Sequence, residues 1–214
     1  MPNTALYSTL KVLGSPLLQG LYHHDVVGLE NLPEGPYIVA SNHLAFCDSI
    51  FIPLAMPRTV NFLAKSDLNA GAQVLKDGGI IGIYPEGTRS PDGRGYRPKV
   101  GVARLAVEAG VPVVPVGQIG TDLIQPSGSN RIRLRHDGKP IQVRTIIGKP
   151  LTFEEYTDGS DLSHRVQREI ADRIGSEIRA LSGQEYVDVY ADRVKKLMTD
   201  KNMSADEAVA HLQH

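Results

Sequence analysis

Near-continuous apolar runs at Tyr37–Ser41, Val60–Lys65, Ile80–Tyr84 and Val111–Val116 are bounded by glycine, proline and polar residues. That is the pattern of short strands buried on both faces. Between the runs, Ser49–Met56, Leu68–Asp77 and Val102–Glu108 space their apolar residues at helical intervals. Pro53 and Pro57 limit the first of these helices, while Gly78-Gly79 and Gly110 stop the other two. A further short strand is predicted at Val26–Leu29. Strands alternating with short helices predict an α/β fold with a largely parallel central sheet flanked by helices. Arg131–Arg135 alternates basic and apolar residues, and Asp137-Gly138 turns it towards Ile141–Ile147, which predicts a hairpin with one wet face.

The two ends read differently. Leu6, Leu10, Leu13, Leu17, Leu18 and Leu21 fall on one stripe of an amphipathic helix from Ala5 to Tyr22, broken near Gly14-Ser15-Pro16. It either covers the core or lies on a membrane surface, and Lys11 alone on its polar face favours the first. At the other end Val166, Ile170, Ile174, Ile178 and Leu181 repeat at helical spacing, followed by helical pieces around Val187–Met198 and Ala205–Leu212. The expected organisation is an N-terminal helical segment (1–25), an α/β core (26–155) and a C-terminal helical extension (156–214). That extension reads as packing or partner surface, with no chemistry of its own.

Composition narrows the function classes. The chain has 214 residues, 41% hydrophobic and 22% charged, with a net charge of −1. This is globular, and it gives no global pull towards nucleic acid, so any anion site must be local. A lone cysteine, Cys47, allows no intramolecular disulfide and points to a reducing compartment. No run of about 18 apolar residues is present, and the N-terminus lacks the basic head and long apolar block of a signal peptide. His23-His24 has no carboxylate or cysteine at ligand spacing, so no metal is expected.

Candidate chemistry sits where apolar runs end. The run Tyr37–Ser41 breaks into Asn42-His43, and Asp48 follows. On a helix, residues with that separation stand roughly 140° apart around the axis; on a strand they fall on opposite faces. His43 and Asp48 therefore meet only across a turn, as at a strand end leading into a helix. A carboxylate orienting a histidine is half of a catalytic relay. A capping Asp48 and a solvated His43 would be the ordinary alternative. The second strand, Ile80–Tyr84, runs into Pro85-Glu86-Gly87-Thr88-Arg89-Ser90. In a parallel sheet both strand ends open on one edge. There Arg89, the Thr88 hydroxyl and the backbone N–H groups near Gly87 are the parts of a phosphate or oxyanion site. A flexible basic loop is expected next, over 91–99. Its Arg94, Arg97 and Lys99, with Arg104 beyond, would either meet anionic groups or remain solvated.

Asn42-His43 with Asp48, Tyr84–Ser90, and Val111-Pro112-Val113-Val114-Pro115-Val116, in this order, resemble the glycerolipid acyltransferase family. Phe62-Leu63-Ala64-Lys65 also matches a phrase of that family, and the resemblance spans about Gly28 to Pro150. It implies acyl transfer from acyl-CoA, as co-substrate, to the hydroxyl of 1-acylglycerol-3-phosphate, giving phosphatidic acid with no cofactor. By the same resemblance His43 is the general base and Asp48 its partner. Glu86, Gly87, Thr88 and Arg89 bind the acceptor, and Lys99 is the best further candidate. Asn42, Pro112 and Pro115 are structural or contact the acyl donor; a plain buried strand with edge prolines is the alternative for the last two. The implied location is peripheral, on the cytoplasmic face of the cell membrane, with lysophospholipid and acyl-CoA as partners. Glycerol-3-phosphate or another lysophospholipid as acceptor, or a catalytically silent lipid-binding role, remain open readings.

One departure from the family stands out. Its members carry a few dozen more residues between the Phe-Leu-Ala-Lys phrase and the helix before Glu86, including a further phosphate-binding arginine. Here Asp67-Leu68-Asn69-Ala70 leads almost directly into that helix. Either the crossover is shortened, since about 12 residues suffice to join parallel strands, or a mobile lid is absent from the chain. The second reading is favoured, because lids are ordinary at such sites.

Overall fold

A computed structural model describes residues 20–62, 68–129, 131–156 and 162–213. The N-terminal amphipathic segment and the Leu63-Ala64-Lys65 part of the second apolar run lie largely or wholly outside these residues. Strands β1 (Asp25–Val27), β2 (Tyr37–Ser41), β3 (Val60–Phe62), β4 (Ile80–Ile83), β6 (Val113–Ile119) and β9 (Arg144–Ile147) form one six-stranded sheet. Its order is β1-β9-β6-β2-β4-β3. The intervening strand β5 (Gly95–Tyr96) pairs with β10 (Tyr186–Val187), and β7 (Arg135–His136) with β8 (Lys139–Pro140). The helices are α1 (Asp48–Ala55), α2 (Leu68–Lys76), α3 (Gly101–Ala109), the single turn α4 (Thr121–Ile124), α5 (His164–Ser182), α6 (Ala191–Lys201) and α7 (Ala205–Gln213).

The α/β reading holds, and its reason is visible in β2. Every residue of β2 is buried, because parallel partners β4 and β6 flank it and helices cover both faces. Ile38 and Ala40 face a core built with α3 and α5, while Tyr37 and Val39 face one built with Ile52 and Met56 near α1. Alternate side chains of one strand thus supply two cores. β3 and β4 pair in parallel, and α2 lies between them in sequence.

One expectation about pairing is corrected. The hairpin after Asp137-Gly138 is only β7–β8, fully exposed; β9 instead joins the main sheet, antiparallel to β6. Thr145, Ile147 and the preceding Val143 are buried, and that burial holds β9 in the sheet rather than beside 131–135. β6 lies inside the sheet, buried between β9 and β2. Pro115 is tolerated there because its side of the β6 ladder is broken. Val113 exchanges both backbone bonds with Leu151, while the Pro115 carbonyl accepts from Gly148 N–H at 2.8 Å.

The segment 91–99 is corrected too, from a flexible loop to an ordered strap. Ser90 Oγ donates to the Arg94 carbonyl (2.8 Å) and accepts from Gly93 N–H (2.9 Å), and Tyr96 O–H donates to Asp92 (2.9 Å). Tyr96 is buried in a separate small core with Val187, Val189, Ala191, Val194, Ala208 and Val209. Through it the strap carries α6 and α7.

Candidate active site

Because β2 and β4 are parallel with Ala40 opposite Ile83, both chains leave the sheet side by side. His43 and Tyr84 are the side chains that result, and their rings stack at 3.8 Å between centroids, 9° apart. Phe62 stacks behind Tyr84 at 5.1 Å, made possible by Gly82, where a Cβ would come within 2.8 Å of the Phe62 ring. The Tyr84 hydroxyl lies 3.0 Å from Ser49 Oγ, and burial raises its pKa well above the usual phenol value. It is therefore a neutral, fixed wall beside the imidazole.

The turn 44–47 folds Asp48 back under His43. His43 Nδ1 is 2.8 Å from Asp48 Oδ2, and the same oxygen accepts Leu44 N–H (2.6 Å) and Ala45 N–H (2.8 Å). Asp48 is completely buried, whereas the His43 side chain keeps 16% exposure. Asp48, the first residue of α1, thus ties down the turn before the helix and orients the imidazole, and it makes no capping bond to the helix itself. With Nδ1 engaged, Nε2 is the nitrogen free to take a proton. Half-buried Cys47, whose Sγ lies 3.7 Å from the Thr121 carbonyl, has its thiol pushed up to about 12 by burial, as suits a packing residue.

The second motif closes over the first. Ser90 N–H donates to the His43 carbonyl at 2.7 Å, and Lys99 N–H to the Pro85 carbonyl at 2.7 Å. Gly87 has φ 75°, a conformation that favours glycine, and it lies against the end of the Lys99 side chain. A cavity of about 550 Å³ results, lined among others by His43, Tyr84, Gly87, Thr88, Arg89 and Lys99. It is large enough for a phosphoglycerol group with the start of a chain.

Not every candidate reaches that cavity. Glu86 is buried with its carboxylate turned inward, accepting from Tyr96 N–H at 3.2 Å. Burial pushes its pKa up to about 8, against the pull of that bond and of Arg179 and Lys195. Asn42 clamps β6, donating to the Gln118 carbonyl (2.9 Å) and accepting from Gln118 N–H (2.7 Å). Pro112 borders a small cleft with Ala106, Gly110 and Phe153, and neither it nor Pro115 lines the cavity of His43. The basic residues of the strap are largely paired: Arg94 with Asp92 and Asp206, Arg97 with Asp188, Lys99 with Asp192 at 2.7 Å. Arg104 pairs along its own helix with Glu108.

Sequence reasoning missed the C-terminal arm. Lys195 of α6 donates from Nζ to Thr88 Oγ1 at 3.0 Å. The periodicity of α6 marks its buried side but gives no hint of a partner more than a hundred residues earlier.

The chain matches the Acyltransferase family model over residues 23–73 and 68–118. It is 32% identical to the chloroplastic 1-acyl-sn-glycerol-3-phosphate acyltransferase BAT2 of Brassica napus, over 66% of this chain and 48% of that one. To the 1-acyl-sn-glycerol-3-phosphate acyltransferase of Pseudomonas aeruginosa it is 31% identical, over 44% and 48%. Among solved structures it resembles the 1-acyl-sn-glycerophosphate acyltransferase PlsC of Thermotoga maritima, with TM-score 0.63 and 25% identity over 85% of this chain and 83% of that one. The chain is thus similar in sequence and in fold to the glycerolipid acyltransferase family. It spans about half the length of the curated relatives it matches.

The same comparisons bear on the expected gap. The Brassica alignment runs over 173 positions yet takes in only 66% of 214 residues, about 141, so about 30 positions of the relative have no counterpart here. The family model breaks into two stretches that overlap at 68–73, the first residues of α2.

Proposed function

We propose that this protein is an acyl-CoA-dependent 1-acylglycerol-3-phosphate O-acyltransferase, forming phosphatidic acid at the cytoplasmic face of a membrane. The observation that carries this is the His43–Asp48 pair at 2.8 Å, stacked on Tyr84 and opening into a cavity that also holds Arg89. The names of the relatives favour the acceptor, and Arg89 supplies the charge that a phosphate needs.

In the reaction, the acceptor hydroxyl hydrogen-bonds to His43 Nε2. As its oxygen bonds to the thioester carbon, its proton passes to Nε2, and Asp48 stabilises the imidazolium. The tetrahedral intermediate collapses by breaking the carbon–sulfur bond. The imidazolium returns the proton to the leaving thiolate, giving CoA and the new ester. No side-chain nucleophile is needed, since the substrate alcohol fills that role.

Approach to a lipid surface is supported by Phe46 and Ile50, which are 65% and 43% exposed in and after the turn that holds His43. Among the described residues no helix is long and apolar enough to cross a membrane. Mass spectrometry of the lipid formed from lysophosphatidic acid and palmitoyl-CoA tests the proposal. Phosphatidic acid carrying the new palmitoyl chain is expected; acylation of glycerol-3-phosphate alone, or of neither, would overturn it.

A further inference from the structure

The basic residues around the cavity sort into two sets. Arg94, Arg97 and Lys99 each have a carboxylate partner in an ion pair. Among the described residues Arg89 and Lys195 have no such ion pair, yet they lie beside the same threonine, one following it in sequence and the other bonded to its hydroxyl. Burial and the neighbouring Arg89 charge both lower the Lys195 pKa. The negative group that acts on Lys195, Glu86, is itself buried, with its carboxyl pushed up to about 8. Two cations close enough to act on each other, neither in an ion pair among the described residues, form an arrangement that an anion completes.

The direction of the Lys195 bond matters. An ammonium only donates, so Thr88 Oγ1 is the acceptor and its own proton is left to point elsewhere. Thr88 lines the cavity that holds His43 and Arg89. We infer that Lys195, delivered by the C-terminal arm, is a positioning residue: it turns the Thr88 hydroxyl into a donor for the acceptor's phosphate and adds a second positive charge beside Arg89. The arm is built for this delivery. β10 pairs with β5, Val194 packs in the core around Tyr96, and Lys195 is the next residue along α6. A segment that sequence pattern assigns to packing is thereby part of the acceptor site, on the reading of function given above.

The test is steady-state kinetics of Lys195→Met and Lys195→Arg, with Lys196→Ala, its exposed neighbour, as control. Lys195→Met should raise KM for lysophosphatidic acid about tenfold or more, leave KM for palmitoyl-CoA and kcat within about twofold, and be largely restored by arginine. Thr88→Val combined with Lys195→Met should cost little more than the worse single change, because one acts through the other. An unchanged acceptor KM, a rise in the donor KM instead, or additive effects would overturn the inference. If the wild type turns over no acceptor, the proposed activity fails by itself. Calorimetric titration with glycerol 3-phosphate then decides: about tenfold weaker binding by Lys195→Met supports the site, while equal binding, or none by the wild type, overturns it.

Discussion

The two halves of the site are built in opposite ways. The His43–Asp48 pair is local: one turn and three bonds to a single Asp48 oxygen, all from residues just before it in sequence. The Glu86–Arg89 loop is assembled from afar. Its Thr88 meets Lys195, the strap after it pairs with Tyr186 and Val187, and Lys99 meets Asp192. A local corner survives as long as the strand and helix flanking it are in place. A loop assembled from a distance depends on an arm that must dock separately, so the two halves should fail differently when perturbed.

The sharpest way to break the local half is Asp48→Asn. It keeps an acceptor for the Leu44 and Ala45 N–H groups but removes the charge that stabilises the imidazolium, so kcat should fall about 10²–10⁴-fold with KM little changed. Steady-state rates with the folded state checked by circular dichroism would show it, and an unchanged kcat would remove Asp48 from the mechanism.

The assembled half has its own signature in pH. Unfolded, Glu86 titrates near 4.5; folded, near 8, because burial disfavours its charge. Between those values the native state holds a proton that the unfolded chain has released, so this group's contribution to stability is full below about 4.5 and is lost as pH rises through about 8. Glu86→Gln has no proton to lose. Relative to wild type it should gain a few kcal/mol on going from about pH 5 to about pH 9, read from urea midpoints. A constant difference between the two proteins would contradict the buried-carboxyl account.

Smaller effects sharpen the contrast further. Tyr84→Leu removes the ring against His43 and should lower kcat about two- to tenfold, on the scale of one aromatic pair, while Tyr84→Phe stays near wild type. Lys99→Met should change acceptor KM less than about threefold, because Asp192 already holds that ammonium at an exposed pair. An effect of Lys99 as large as that of Lys195 would reverse the ranking of the two lysines.

The same contrast explains what was legible in the sequence. β2, β4, α2 and α3 announce themselves because each is a single apolar pattern ended by glycine or by the motif itself. His43 and Asp48 were legible as a turn because no helix or strand brings that separation together. What sequence could not carry were choices between partners. β9 prefers β6 to the hairpin because Thr145 and Ile147 find burial there. Glu86 turns inward because Tyr96 N–H awaits it, though its place in the motif suggests a ligand contact. The strap's arginines look like phosphate contacts until their acids arrive from Asp188 and Asp206 in the arm. In each case the deciding neighbour lies outside the element itself, ten residues or more along the chain, where no periodicity or spacing rule reaches.

The central claim, that His43 acts as base in acyl transfer, is tested most directly by thiol release from palmitoyl-CoA on lysophosphatidic acid vesicles, wild type beside His43→Ala. The account predicts turnover by the wild type and a loss of about 10²–10⁴-fold in the variant. Equal rates in the two proteins would contradict it.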